Sequence, residues 1–182
     1  MIRLLPPCVD WLPAYGDALA RGWSPDTGRD VSREQLAMLI RDGGPAFLRW
    51  LCDPGRPAVT GDGREVPRLP GFVFWIVDDA FCGTINLRFA SVGEDLPEHV
   101  SGHVGYSVVA WKRGGGRATR ALALILPVAR AAGLARVMVT CDEDNAASQR
   151  VIEKNGGTRI ADGPPFRAGE PVKRRWWVAT GG

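Results

Sequence analysis

Side chains that titrate near neutral pH are scarce in this chain. Its 182 residues include only two histidines, His99 and His103, and two tyrosines, Tyr15 and Tyr106. A mechanism that moves a proton through a side chain therefore has few candidates. Cysteine is sparse too. Cys8, Cys52, Cys82 and Cys141 stand far apart with no Cys-x-x-Cys pair, which removes zinc-ribbon and thioredoxin-type motifs. Without a secretory signature, free thiols are the expectation. Long apolar runs are missing. The most apolar stretch, residues 121–129, contains Pro127 and ends at Arg130, whereas a membrane span needs about 20 residues. Residues 1–7 hold no apolar core of roughly 7–15 residues such as a signal peptide carries. These absences point to a soluble, cytoplasmic protein without a membrane partner. A strong charge of either sign is also lacking. The 23 basic and 20 acidic residues leave a net charge of +3, so no broad basic surface calls for nucleic acid.

What is present is globular. Hydrophobic residues make up 45% and charged residues 24%, enough for one core and short of two comfortable domains. We expect a single domain over residues 1–182. Ser32 and Gln35 have the spacing of a helix capping box, and apolar residues from Leu36 to Leu51 recur at helical spacing around Gly43-Gly44-Pro45. This predicts helices over about 33–41 and 46–52. Residues 53–70, rich in Gly, Pro and charge, read as a loop. From residue 71 the pattern turns to strands. Phe72-Val73-Phe74-Trp75-Ile76-Val77 is followed by the turn Asp78-Asp79-Ala80 and a second strand over 81–89. An acidic loop with Glu94, Asp95 and Glu98 follows, then a strand over 103–109, a helix over 117–132 ending at Gly133, and a strand over 136–141. A helix over 145–155 and a last strand over 172–179 complete the series.

The chemistry concentrates in Val108-Val109-Ala110-Trp111-Lys112-Arg113-Gly114-Gly115-Gly116-Arg117-Ala118-Thr119. A strand enters a glycine-rich turn and a helix leaves it. The first amides of a helix have no partner within it, and the helix dipole puts partial positive charge there. Glycines let the backbone approach a bulky anion, and Arg113 and Arg117 add cationic donors, so the turn suits phosphate or pyrophosphate. A dinucleotide fingerprint would need a third glycine where Thr119 stands, although Asp142 follows at a distance suited to a ribose. A P-loop is excluded because no Gly-Lys-Ser/Thr occurs.

Arg113, Gly116 and Ala118 form the pattern Arg-x-x-Gly-x-Ala, which resembles the acetyl-CoA signature of the GNAT acetyltransferases. His103-Val104-Gly105-Tyr106-Ser107-Val108 resembles the fourth strand of that fold and residues 136–141 its fifth. Asp144 to Ser148, running on to Glu153-Lys154-Asn155-Gly156-Gly157, resembles the turn and helix that follow. Lys173-Arg174-Arg175-Trp176-Trp177-Val178 is similar to the closing strand of a bacterial subgroup. The likeness covers residues 71–179; residues 1–70 correspond to the variable first strand and helices.

The resemblance implies an α/β (α+β) fold. Its mixed, mostly antiparallel sheet has splayed central strands and is flanked by helices. It implies acetyl-CoA as cosubstrate, no metal, and a small-molecule or peptide amine as acceptor. It also implies a homodimer through the terminal strands. Val108, Val109 and Ala110 would offer backbone groups to the pantetheine arm. Arg113, Gly114, Gly115, Gly116, Arg117, Ala118 and Thr119 would hold the pyrophosphate. Asn145 would contact that arm or cap the next helix. Many family members place an acidic Tyr seven residues after the Asn; that position is Ile152 here. Tyr106 and His103 are the remaining proton carriers, with His103 as the base. Two readings rival acetyl transfer: a non-catalytic acyl-CoA-binding regulatory module, favoured by Ile152, and a nucleotide-binding protein, favoured by Asp142.

Overall fold

A computed structural model of the chain describes residues 1–60, 63–90, 95–98, 100–160 and 173–181. Its strands are β1 (Arg3–Leu5), β2 (Ala58–Val59), β3 (Glu65–Val66), β4 (Gly71–Val77), β5 (Phe81–Arg88), β6 (Val104–Val108), β7 (Arg136–Asp142), β8 (Thr158–Ile160) and β9 (Lys173–Ala179). Its α-helices are α1 (Leu12–Ala20), α2 (Ser32–Asp42), α3 (Gly44–Cys52), α4 (Arg117–Ala131) and α5 (Ala146–Glu153). Seven strands form one sheet in the order β1-β4-β5-β6-β7-β9-β8, and β2 and β3 form a separate hairpin. Every pairing in the large sheet is antiparallel except β6 with β7. This is the mixed, mostly antiparallel sheet flanked by helices that the resemblance implies.

The parallel pairing decides the architecture. β6 and β7 meet at a single register pair, Val104 with Val139, and the residues of β6 beyond Val104 have β5 on one side only. On the β5 side, the Arg88 N–H donates to the His103 carbonyl (2.8 Å) and the Val109 N–H to the Cys82 carbonyl (3.0 Å). Antiparallel pairing repeats every second residue. Residues 105 and 107 therefore bond toward β5, while 104, 106 and 108 turn their backbone groups toward β7, where the partner strand has diverged.

Each face of the sheet carries its own core. Ile85, Leu87, Val104, Val139, Trp176 and Val178 pack with Ala121, Leu122, Ile125 and Ala129 of α4. On the other face Trp75, Val77 and Phe81 pack with Tyr15 and Leu19 of α1 and Phe47 and Leu51 of α3. Tyr15 stacks on Trp75 with ring centroids 4.9 Å apart, a contact of aromatic faces that adds to area burial.

Four expectations change. The segment before residue 33 contains β1 and α1, which short length and a proline near the start of α1 hide from periodicity. The 53–70 loop contains the β2–β3 hairpin. Ser32 and Gln35 do not form a capping box. Ser32 is already the first helical residue and its N–H bonds to Asp30 Oδ1 (2.9 Å), while Gln35 Oε1 accepts from the buried Tyr15 hydroxyl. Between the helix read over 145–155 and the last strand, the short strand β8 is added.

Candidate active site

The divergence of β6 and β7 opens a cleft of about 540 Å³ through the sheet. One end lies at the start of α4. Gly114 (φ 83°) and Gly116 (φ 72°) both adopt the left-handed backbone region, and a Cβ built at either meets nothing within 4 Å. Their lack of a side chain is thus used for conformation and for leaving the turn open. Gly116 is the helix N-cap, has no side-chain cap, and accepts the first helical bond from Arg120 (3.0 Å). The amides of Arg117, Ala118 and Thr119 in the first turn are those that a helix leaves unpaired.

The structure sorts the residues expected here. Arg113, Gly114, Gly116, Arg117, Ala118 and Thr119 line the cleft, as do Tyr106, Val108 and Asn145. Val109 does not; it is fully buried in the α1-side core and its N–H is spent on Cys82. Ala110 starts a short 3-10 turn, and neither it nor Gly115 lines the cleft. Arg113 Nε bonds the Val108 carbonyl (3.1 Å), tying the turn to the strand it leaves. Arg117 is clamped by Asp78, with Nη2 2.8 Å and Nε 2.9 Å from Oδ2, and Lys112 Nζ lies 3.3 Å from Asp78 Oδ1. The turn between β4 and β5 therefore anchors the glycine-rich turn from below through charge-assisted bonds.

The α5 side of the cleft is built on Asn145. Its Oδ1 accepts from the Ser148 N–H (3.0 Å), the N-cap geometry that the Asn-x-x-Ser spacing permits. At the far end of α5, Asn155 Nδ2 donates to the Thr119 carbonyl (3.1 Å) and fastens α5 to α4. Ala147, Ser148 and Val151 line the cleft. Ile152, by contrast, is fully buried in the core and does not line the cleft. α5 presents Arg150 and Ser148 to the cleft, and Ser148 Oγ lies 2.6 Å from the Tyr106 hydroxyl. Burial pushes the Tyr106 pKa up to about 12, against the pull of its bond to Ser148. Burial likewise pushes the neighbouring Cys141 thiol up to about 11, so this thiol stays protonated and is a poor nucleophile. All four cysteines are free.

His103 is placed elsewhere. It does not line the cleft. Its Nδ1 accepts the Met138 N–H (3.0 Å), its own N–H donates to the Met138 carbonyl (2.8 Å), and its ring lies against Trp177. Burial first, and the Arg88 guanidinium second, hold its pKa down to about 4. These bonds join β6 to β7 just before they part. The expectation that His103 serves as base thus meets a side chain already committed to the sheet. Because its folded pKa is depressed, its contribution to stability is present above the unfolded value of about 6.5 and is lost as pH falls through about 4. Discounting for its partial exposure, that contribution is on the order of 1 kcal/mol. His103→Asn, whose Oδ1 can replace Nδ1, should flatten the acid side of the stability curve in pH-dependent denaturant melts and leave turnover within about threefold. A hundredfold fall in turnover would restore the histidine as base.

The acidic loop divides: Glu94 lies outside the described residues, as does His99, while Asp95 and Glu98 are exposed and do not line the cleft. Asp142, the acid suited to a ribose, is paired with Lys173 (2.6 Å). Among the described residues no group of three or more His, Cys, Asp or Glu side chains could hold a metal ion, and no helix is long and apolar enough to cross a membrane. Sequence reasoning missed Ser148 and Asp78. It also missed Arg88, a largely buried guanidinium that lines the cleft beyond β6.

Comparison with known proteins fits this geometry. The profile described as "Acetyltransferase (GNAT) domain" matches residues 33–158. Among solved structures, RimJ of Mycobacterium smegmatis in complex with CoA-disulfide superposes with a TM-score of 0.60 at 23% identity, over 98% of this chain and 80% of that one. The microcin C7 self-immunity acetyltransferase MccE, in complex with acetyl-CoA and AMP, gives a TM-score of 0.59 at 12% identity, over 98% and 92%. An acetyltransferase from Agrobacterium tumefaciens strain C58 gives 0.57 at 16% identity, over 97% and 90%. At these identities the likeness is one of fold. No curated protein matches.

Proposed function

Because the chain belongs to the GNAT acetyltransferase family, we propose that it transfers the acetyl group of acetyl-CoA directly to a primary amine of a small-molecule or peptide acceptor. The observation that carries this reading is the single register pair between β6 and β7. Past it, an open strand edge leads straight to an uncapped helix start behind two left-handed glycines. An edge strand can pair with an amide-containing arm, and a helix start can hold the diphosphate at its end. Bound acetyl-CoA supplies an acetyl thioester, whose transfer to an amine releases a thiol.

The residues of the chain divide that work. Arg113 and the amides of Arg117, Ala118 and Thr119 hold the pyrophosphate. The β7-facing N–H groups of Tyr106 and Val108 bind and orient the arm and its acyl carbonyl, and stabilise negative charge that develops on that oxygen. The Tyr106 hydroxyl is the proton donor for the departing sulfur, and the proton that the attacking nitrogen sheds restores the phenol, directly or through water. Its high pKa keeps it protonated at neutral pH, and Ser148 holds it in place. Asp142, the carboxylate that lines the described cleft, is held by Lys173 at 2.6 Å, and His103 does not line it, so neither is assigned as the base. The acceptor therefore reacts from its neutral form, and the cleft contributes orientation. Rates should then rise with pH along the titration of the acceptor's own amine.

The test is release of free thiol from acetyl-CoA in the presence of amine panels: amino acids, peptides with free N-termini, polyamines and amino sugars. Mass spectrometry should find one acetyl group on the acceptor per thiol released. Saturable acetyl-CoA binding with no acceptor-dependent release would favour a non-catalytic acyl-CoA-binding module. Displacement by NAD and not by CoA would favour a nucleotide site.

A further inference from the structure

Strand β5 carries a polar row on the face away from α4. Ile85 and Leu87 enter the α4-side core, so Thr84, Asn86 and Arg88 project to the opposite face, where successive members stand roughly 7 Å apart. Two of them are unsatisfied: Thr84 Oγ1 and Asn86 Oδ1 are buried without a hydrogen-bond partner. Buried polar atoms of this kind call for an explanation. Asn86 faces Gly105 across the sheet, and a Cβ at Gly105 would stand 3.3 Å from Asn86 Oδ1. Gly105 itself lines the cleft. At the end of the row, Arg88 lines the cleft with Ser101 and Thr27. Its Nε donates to the Gly102 carbonyl (2.7 Å), and among the described residues it forms no ion pair. Asp26 is the carboxylate whose charge acts on it, but Asp26 Oδ1 is engaged by the Gly28 amide (2.7 Å) and the Arg29 amide (3.3 Å) of its own loop. That loop is held over the cleft by Trp23 Nε1 donating to Ser107 Oγ and Ser107 Oγ donating to the Ser24 carbonyl, each 2.9 Å.

A largely buried guanidinium that meets no paired carboxylate among the described residues is costly to keep unless something else meets it. Its planar fork suits an oxyanion approached from the cleft. We propose that Arg88 recognises an anionic oxygen group, a carboxylate or a phosphate, on the acceptor, so that the acetylated amine belongs to a molecule that also carries negative charge. This rests on the acetyltransferase reading above and narrows its acceptor class. The acceptor end of the cleft is therefore cationic, and the exposed Asp95 and Glu98 do not set its preference.

The experiment is calorimetric binding, without cofactor and again with CoA present. The probes are α-amino acids, their carboxamides, and an aminoalkyl phosphate with its neutral alcohol. Wild type should bind the anionic member of at least one pair about 10- to 100-fold more tightly. Which pair shows the effect identifies carboxylate or phosphate. Arg88→Gln should erase the difference, and Arg88→Lys should keep part of it. Acetyl-CoA affinity and the near-ultraviolet circular dichroism of both variants should match wild type. Equal affinity for charged and neutral members in wild type, or discrimination that survives Arg88→Gln, would overturn the assignment. The acetyltransferase reading is judged separately, by acetyl-CoA binding and thiol release. Loss of those with charge discrimination intact would refute that reading and leave an anion site at Arg88.

Discussion

Gly116→Asp should weaken acetyl-CoA binding at least a hundredfold while the protein still folds. Gly116 has φ 72° and ψ 8°, a left-handed conformation that costs most residues strain but that Asn and Asp tolerate best. A Cβ there meets nothing within 4 Å, so the change adds no clash. What it adds is a carboxylate at the helix start, where the account places a doubly charged pyrophosphate. Two unit charges 4 Å apart near a protein surface repel by about 4 kcal/mol, and about 1.4 kcal/mol is already a factor of ten. Gly116→Asn separates charge from shape: it should bind within about tenfold of wild type. Calorimetry with acetyl-CoA on all three proteins, with a thermal melt of each, measures both parts. If the Asp and Asn variants bind equally well, the negative ligand does not sit at this turn.

Tyr106→Phe should lower kcat by about a hundredfold and leave acetyl-CoA affinity nearly unchanged. A positioned proton donor is worth typically 10²–10⁴-fold, and removing it acts on turnover and not on ground-state binding. With its pKa near 12, the phenol is protonated throughout the neutral range, so the deficit should be the same at pH 6 as at pH 9. Ser148→Ala removes only the partner of the hydroxyl and should cost less, about tenfold. Acetyl thioesters with a more basic, poorer leaving thiol should show the largest loss. Full activity in Tyr106→Phe would mean that solvent protonates the sulfur and that Tyr106 only lines the wall.

How far the sequence could be read follows from how local each signal is. The strand–glycine turn–helix unit at residues 104–131 was legible because its pattern lies within one stretch, and the structure keeps its boundaries to within a residue or two. α1 and β1 were not, since three residues of strand and a helix with Pro13 in its first turn carry too short a period. Ser32 and Gln35 had the letters of a capping box, yet the buried Tyr15 hydroxyl needed Gln35, and Asp30 took over at the helix start. A tertiary demand outweighed a local one. On α5, counting seven residues from Asn145 leads to Ile152, which is buried in the core, while Ser148 and Val151 of the same helix line the cleft. Arg88 could have been found. Thr84, Asn86 and Arg88 alternate with Ile85 and Leu87, a two-residue period that marks a polar face on a strand otherwise buried. That Arg88 meets a cleft needed the crossing of β6 and the loop after α1, which no spacing reveals.

The claim on which all else depends is that the donor lies in the gap between β6 and β7 with its phosphates at the start of α4. Backbone NMR during titration with acetyl-CoA tests it most directly. The account predicts saturable, one-to-one shifts of the amides of Gly114, Gly116, Arg117, Ala118 and Thr119, together with Tyr106 and Val108 on the open edge of β6. The amides of α2 and of the β2–β3 hairpin should stay in place. Saturable shifts confined to other elements, or none at β6 and the glycine turn at saturating acetyl-CoA, would contradict it.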